Sequence, residues 1–175
     1  MSEKRIEVQS TDALSEDDVA RIMELRSRID FAVPNKAWTP WGQKKWHVLV
    51  WLGDELVSHV GLLTRHVRAG ESVVSVAGVY SVMTAPDRRG NGLATAALSR
   101  AVEFMRSDLD SDFGLLLCPD RMLPFYDALG WLKVEDTVVF DQPSGKTVSV
   151  LNAMVLPLRG TSWPSGTLDF CGPPW

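Results

Sequence analysis

Residues 79–98, VYSVMTAPDRRGNGLATAAL, decide how the chain is read. The stretch opens on β-forming residues and reaches Pro86, which cannot continue a central strand. It then passes through Asp87-Arg88-Arg89-Gly90-Asn91-Gly92 into an alanine-rich segment. There Ala94, Ala97, Leu98, Ala101, Val102 and Met105 line one side, with Arg100, Glu103 and Arg106 on the other, which predicts a helix over 91–107.

A strand, a glycine-rich turn and a helix start in direct succession have a physical consequence. Gly90 and Gly92 remove side chains where backbone N–H groups converge. The first turn of a helix carries unpaired N–H donors and a partial positive charge, so an anion is favoured there. Arg88 and Arg89 can add charge-assisted contacts. A tight turn with solvated arginines accounts for the same residues without a ligand, because glycine is common in turns. Two nucleotide motifs are excluded. A dinucleotide fingerprint needs a glycine where Thr95 stands, and a P-loop needs a lysine that the stretch lacks.

Outward from this centre, residues 46–84 are rich in Val and Leu and broken at Gly53-Asp54 and Ala69-Gly70-Glu71. Those breaks predict three antiparallel strands near 46–51, 55–68 and 72–84. Upstream, Ser15 followed by Glu16, Asp17 and Asp18 marks a helix start, with acids at the positive end of the dipole. Val19, Ile22, Met23, Leu25 and Ile29 form its apolar side, and Pro34 ends it. Downstream, DFGLLLCP reads as a buried strand, and DRMLPFYDALGW as a short helix closed by Gly130. Strands near 131–140 and 148–156 follow, then a Gly/Pro-rich tail without periodicity. The expected fold is α+β, a single domain over 1–175 with a mixed, mostly antiparallel twisted sheet flanked by helices.

The chain has 175 residues, enough for one full core; 45% are hydrophobic and 23% charged, as in ordinary globular proteins. The net charge of −4 argues against a nucleic-acid partner and suits a cationic one. The first 18 residues lack the apolar core of a secretory signal, and no run approaches ~18 apolar residues. A cytoplasmic protein without a membrane span is expected. Cys118 and Cys171 have no metal-ligand spacing and are expected as reduced thiols, a disulfide between them being the alternative, with no metal.

The central stretch resembles the acyl-CoA-binding segment of the GNAT N-acyltransferase superfamily, whose R/Q-x-x-G-x-G/A pattern is matched by Arg89, Gly92 and Ala94. A second element of that family, FY…A…GW, is matched about thirty residues on by Phe125, Tyr126, Ala128, Gly130 and Trp131. The resemblance implies that backbone N–H groups of Arg89, Gly90, Asn91, Gly92, Leu93 and Ala94 wrap the CoA pyrophosphate. Val82, Met83 and Thr84 then offer their backbone to the pantetheine arm, which positions the thioester. It implies Tyr126 as the acid that protonates the departing thiolate. Many relatives carry a glutamate on the strand before the loop, whereas residues 72–84 here contain no acid or base, and Glu71 lies in the preceding turn. The base is therefore sought among His59, His47, Asp120, Asp169 and the terminal carboxylate of Trp175.

HVGLLTRHVRAG and the ending LPLRGTSWPSGTLDFCGPPW are similar to two branches of that superfamily, the aminoglycoside 2′-N-acetyltransferases and the nodulation-factor N-acyltransferases. Both acylate an amino-sugar nitrogen, and the first implies an acceptor-site role for Trp175. A loose Pro-rich end is the alternative for this tail. Trp38, Trp41 and Trp46 cluster where acceptor sites of this family form, and tryptophan faces suit sugar rings and cations as well as an ordinary lid. The expectation is an acetyl-CoA-dependent N-acetyltransferase acting on a small amine, an aminoglycoside, other amino-sugar or polyamine. A longer-chain acyltransferase and a non-catalytic acyl-CoA-binding module are the alternatives. Similar domains often form homodimers.

Overall fold

The computed structural model describes residues 3–29 and 45–175. These fall into two compact units, the first holding 3–29, 45–62 and 80–104, the second 63–79 and 105–175.

In the first unit, β1 (Lys4–Ser10) pairs antiparallel with β2 (Trp46–Leu52), and β2 with the first part of β3 (Glu55–Ala69). The β2–β3 turn places Gly53 at φ +59° in its first central position, a backbone state that favours glycine in two-residue hairpins. The end of β4 (Ser72–Thr84) lies beside β3. α1 (Glu16–Ser27) starts with a full capping box, the Ser15 hydroxyl accepting from the Asp18 N–H and the Asp18 carboxylate accepting from the Ser15 N–H. Its Ile22 and Leu25 enter a core with Leu49, Trp51, Leu56, Met83 and Ala85. Two of the residues expected on that face, Val19 and Met23, are 47% and 59% exposed, so the buried stripe is narrower than the sequence suggested. After β4, a short 3₁₀ turn (Pro86–Arg88) leads through the glycine loop into α2 (Leu93–Ser107).

In the second unit, β4 pairs parallel with β5 (Phe113–Cys118) from Val76–Phe113 to Val79–Leu116, where the ladder stops. β5 pairs antiparallel with β9 (Asn152–Pro157), and β9 with the two-residue β6 (Leu132–Lys133). α3 (Leu123–Asp127) precedes β6, and Gly130 closes that turn at φ +85°. The strand expected from 131 to 140 is split into β6 and β7 (Val138–Gln142), the one expected from 148 to 156 is β9, and between them β8 (Gly145–Val148) forms a hairpin with β7 that was not expected. The chain turns at Pro143-Ser144, and Gly145, at φ +110°, opens β8 opposite Gln142. The tail is ordered in the fold rather than loose: β10 (Leu168–Asp169) lies between the end of β3 and β7. The sheet is mixed and mostly antiparallel, and the fold is α+β, as expected. No helix among the described residues is long and apolar enough to cross a membrane.

Candidate functional site

The glycine loop has the form an anion needs. Gly90 and Gly92 sit at φ +78° and +70°, and a Cβ built on either meets nothing within 4 Å, so open space lies over both. The Asn91 side chain folds back, its Nδ2 donating to the carbonyls of Arg88 (3.0 Å) and Arg89 (3.3 Å), which fixes the turn. The first helical bond runs from the Ala96 N–H to the Gly92 carbonyl at 2.9 Å. The N–H groups of Leu93, Ala94 and Thr95 thus have no acceptor inside α2. These residues fit a pyrophosphate.

Arg88 has partners within the protein. Its guanidinium donates to Glu55 at 2.8 Å and pairs with Asp87 at 3.5 Å, while Arg28 at the end of α1 pairs with the same Glu55 and with Asp87. Arg88 thereby ties the entrance of the loop to β3 and α1. Arg89 is exposed. Val82 and Thr84 are half-buried and Met83 is buried in the α1 core.

Sequence reasoning missed how this end of β4 is held. Ser81, a non-glycine residue, has φ +50°. Its carbonyl lies 3.0 Å from Nδ1 of His59, whose Nε2 lies 3.0 Å from Nδ1 of His47. Nε2 of His47 is in turn 3.2 Å from the Thr11 hydroxyl. Both rings are buried. Two residues on, the Ser58 hydroxyl donates to the Met83 carbonyl at 2.7 Å and lies 3.0 Å from the Thr84 hydroxyl. The spacing His47, Ser58, His59 on apolar strands was the only available signal.

In the second unit, Tyr126 on α3 is 5% exposed, its ring edge-on to Phe125 (5.1 Å) and Trp131 (6.2 Å). Trp131 is held in turn against Gly114, where a Cβ would come within 2.8 Å of the indole. Burial, and secondarily the neighbouring Cys118, hold the Tyr126 phenol well above its ordinary value, so it stays a neutral donor at working pH. Burial pushes the Cys118 thiol up to about 11, with Asp120 adding to it. Both cysteines are free.

Trp175 is 4% exposed, its indole stacked on Phe170 at 4.4 Å and lying against Gly78, whose Cβ would come within 2.6 Å of the ring. The Arg65 guanidinium covers the indole at 5.1 Å and donates to the Pro173 carbonyl. Of the residues considered as a base, His47 and His59 are bonded to each other in the core. Burial raises the Asp169 carboxyl, but hydrogen bonds from Lys146 and the Cys171 N–H outweigh it and leave the group below its ordinary value, a poor base. Asp120 is exposed in the turn before α3 and accepts from Asn152 at 2.7 Å. Trp46 packs edge-on against Phe104 at 6.0 Å; Trp38, Trp41 and Pro34 lie outside the described residues. No cluster of three metal-binding side chains occurs among the described residues.

The first unit thus carries a strand that runs through an open glycine turn into a helix start, and the second a buried tyrosine on a short helix. Residues 12–134 match the family model of the acetyltransferase (GNAT) domain, and the chain belongs to that family of acetyl-CoA-dependent N-acetyltransferases. Its fold is shared with Escherichia coli ElaA, at TM-score 0.62 and 17% identity over 87% of this chain and 99% of that one. An acyl-CoA N-acyltransferase from Pseudomonas aeruginosa aligns at TM-score 0.61 and 17% identity, over 87% and 99%. A GNAT family acetyltransferase from Brucella melitensis, solved in complex with acetyl-CoA, aligns at 0.59 and 14% identity, over 95% and 96%. The chain has no significant match among curated proteins.

Proposed function

We propose that this enzyme acetylates a primary amine of a small amino-sugar, an aminoglycoside among them, or of a polyamine, by direct attack in a ternary complex. The observation that carries the cofactor half is the open glycine loop, where Gly90 and Gly92 leave space in front of the unpaired N–H groups of α2. The backbone of Arg89, Gly90, Asn91, Gly92, Leu93 and Ala94 holds the pyrophosphate, and that of Val82, Met83 and Thr84 the pantetheine arm. The amine lone pair attacks the thioester carbonyl carbon, the C–N bond forms, and the C–S bond breaks. Tyr126 donates its phenolic proton to the departing thiolate and is reprotonated from solvent, which also takes the proton lost by nitrogen. The raised phenol value supports a donor that is protonated when the thiolate leaves.

The acceptor class is supported by the net charge of −4, which favours cations, and by the likeness of the tail to amino-sugar acylating branches. A short acyl donor is supported by the Trp175 indole, which fills the space over Gly78.

The test is thiol release from acetyl-CoA and decanoyl-CoA across aminoglycosides, polyamines and glucosamine derivatives, with Tyr126→Phe alongside. Acetyl transfer to an amino-sugar or polyamine, reduced by about 10²-fold in Tyr126→Phe, is expected for loss of a general acid. Acetyl-CoA binding without turnover on any of these amines would overturn the acceptor assignment.

A further inference from the structure

We infer that His59, backed by His47, and Ser58 are positioning residues for the transfer step: they hold the carbonyls of Ser81 and Met83 toward β3 and so aim the Val82 and Thr84 N–H groups at the acyl-CoA. This rests on the assignment of β4 as the acyl-CoA strand.

The geometry runs as a chain. A carbonyl only accepts, so Nδ1 of His59 carries the proton donated to Ser81. With both rings neutral, Nε2 of His59 accepts from Nδ1–H of His47, and Nε2 of His47 accepts from the Thr11 hydroxyl. Each ring thereby has a fixed tautomer. The Ser58 hydroxyl spends its single proton on Met83, so Thr84 donates to Ser58.

A planar trans peptide points its C=O and N–H in opposite directions. Turning the Ser81 carbonyl to the His59 ring therefore points the Val82 N–H away from that ring, and turning the Met83 carbonyl to the Ser58 hydroxyl points the Thr84 N–H away from that hydroxyl. The ladder between β4 and β5 covers only Val76 to Val79, so these two donors lie beyond it. Ser81 pays for this arrangement with φ +50°, a state that a side chain disfavours and that the captured carbonyl helps to hold. Donors fixed before the reaction stabilise charge on a thioester oxygen without reorganising, which is where an ordered pair of histidines under the strand affects rate. The pair conducts no proton to substrate, since it ends on a carbonyl.

The experiment compares wild type, His59→Ala, His59→Asn, Ser81→Gly and the double variant His59→Ala/Ser81→Gly. Acetyl-CoA binding is measured by calorimetry, which also gives the binding-competent fraction, and kcat is expressed per binding site. Loss of one aimed donor predicts a kcat fall of about 10²-fold in His59→Ala. The KM for acetyl-CoA stays within about threefold, because the glycine loop is untouched. The Asn amide N–H reaches the place of Nδ1–H, so His59→Asn recovers about tenfold or more of that loss. Glycine adopts positive φ without strain, so Ser81→Gly restores part of the activity of His59→Ala. A purely structural His59 would lower the competent fraction and leave kcat per site unchanged, which overturns the inference. Equal loss in folded His59→Asn and His59→Ala also overturns it, and His59→Asn carries the comparison where His59→Ala fails to fold. Wild-type protein that binds no acetyl-CoA would overturn the parent reading and this inference with it, an outcome separated from the others by the calorimetry of wild type alone.

Discussion

Gly90 and Gly92 isolate the two reasons a position can require glycine. Neither is crowded, yet both have positive φ, so backbone strain alone separates glycine from alanine there. Gly92→Ala is expected to cost about 1 kcal/mol of stability, read as a small fall in melting temperature. Its effect on acetyl-CoA is larger, because the new methyl enters the space assigned to the pyrophosphate: KM rises by about tenfold or more at near-constant kcat, the signature of lost ground-state binding. An unchanged KM in the folded variant would place the anion elsewhere. These glycines were legible in sequence because a turn with positive φ ahead of a helix selects that residue type. Ser81 was not, since nothing in a serine flanked by β-formers announces a left-handed backbone; only the His59 side chain, 22 residues away in sequence, explains it.

At the scale of elements, the tail shows how a family-like segment can be set by packing. Trp163 stands edge-on against Phe113 at 5.0 Å, Gly166 lies against Gly70, and Leu168 is fully buried in β10. Trp175 closes the run by filling the space over Gly78. Core packing therefore accounts for most of the residues that carry the tail's likeness to the amino-sugar branches. Gly78 and Trp175 form a testable pair. Trp175→Ala should cost about 3–5 kcal/mol, as for other buried large-to-small changes. Gly78→Ala should cost about 1–3 kcal/mol by overpacking the indole. In the Trp175→Ala background the Gly78→Ala cost should fall close to zero, since its obstacle is gone. Additive costs in chemical denaturation would show that the indole does not rest on Gly78. The three long strands were readable from hairpin glycines and β-branched runs. β1, β10 and the β7–β8 hairpin were not, because Lys4–Ser10 carries only Ile6 and Val8 as apolar positions, and two- to five-residue strands owe their form to the neighbours they pair with.

On the proposed reading, the whole molecule receives two substrates of opposite charge on a surface with a net charge of −4. A negative long-range field attracts a polycation and repels acetyl-CoA, so on that reading the cofactor is held by local contacts, those proposed for the N–H groups of the glycine loop and the exposed Arg89. Arg88 is paired with Glu55 and Asp87. Salt separates the two kinds of attraction. Raising ionic strength from about 0.02 to 0.2 M shortens the Debye length from roughly 20 to 7 Å, which screens the net field more than hydrogen bonds made in direct contact. For acetyl-CoA, weaker local attraction is partly offset by weaker long-range repulsion. The KM of an acceptor with three or more positive charges should therefore rise severalfold, that of singly charged glucosamine by less, and that of acetyl-CoA by about twofold at most. Steady-state kinetics at fixed pH across that range measures all three. A KM for acetyl-CoA that climbs more steeply than that of the polycation would mean that side-chain charge, not the backbone of the loop, holds the pyrophosphate.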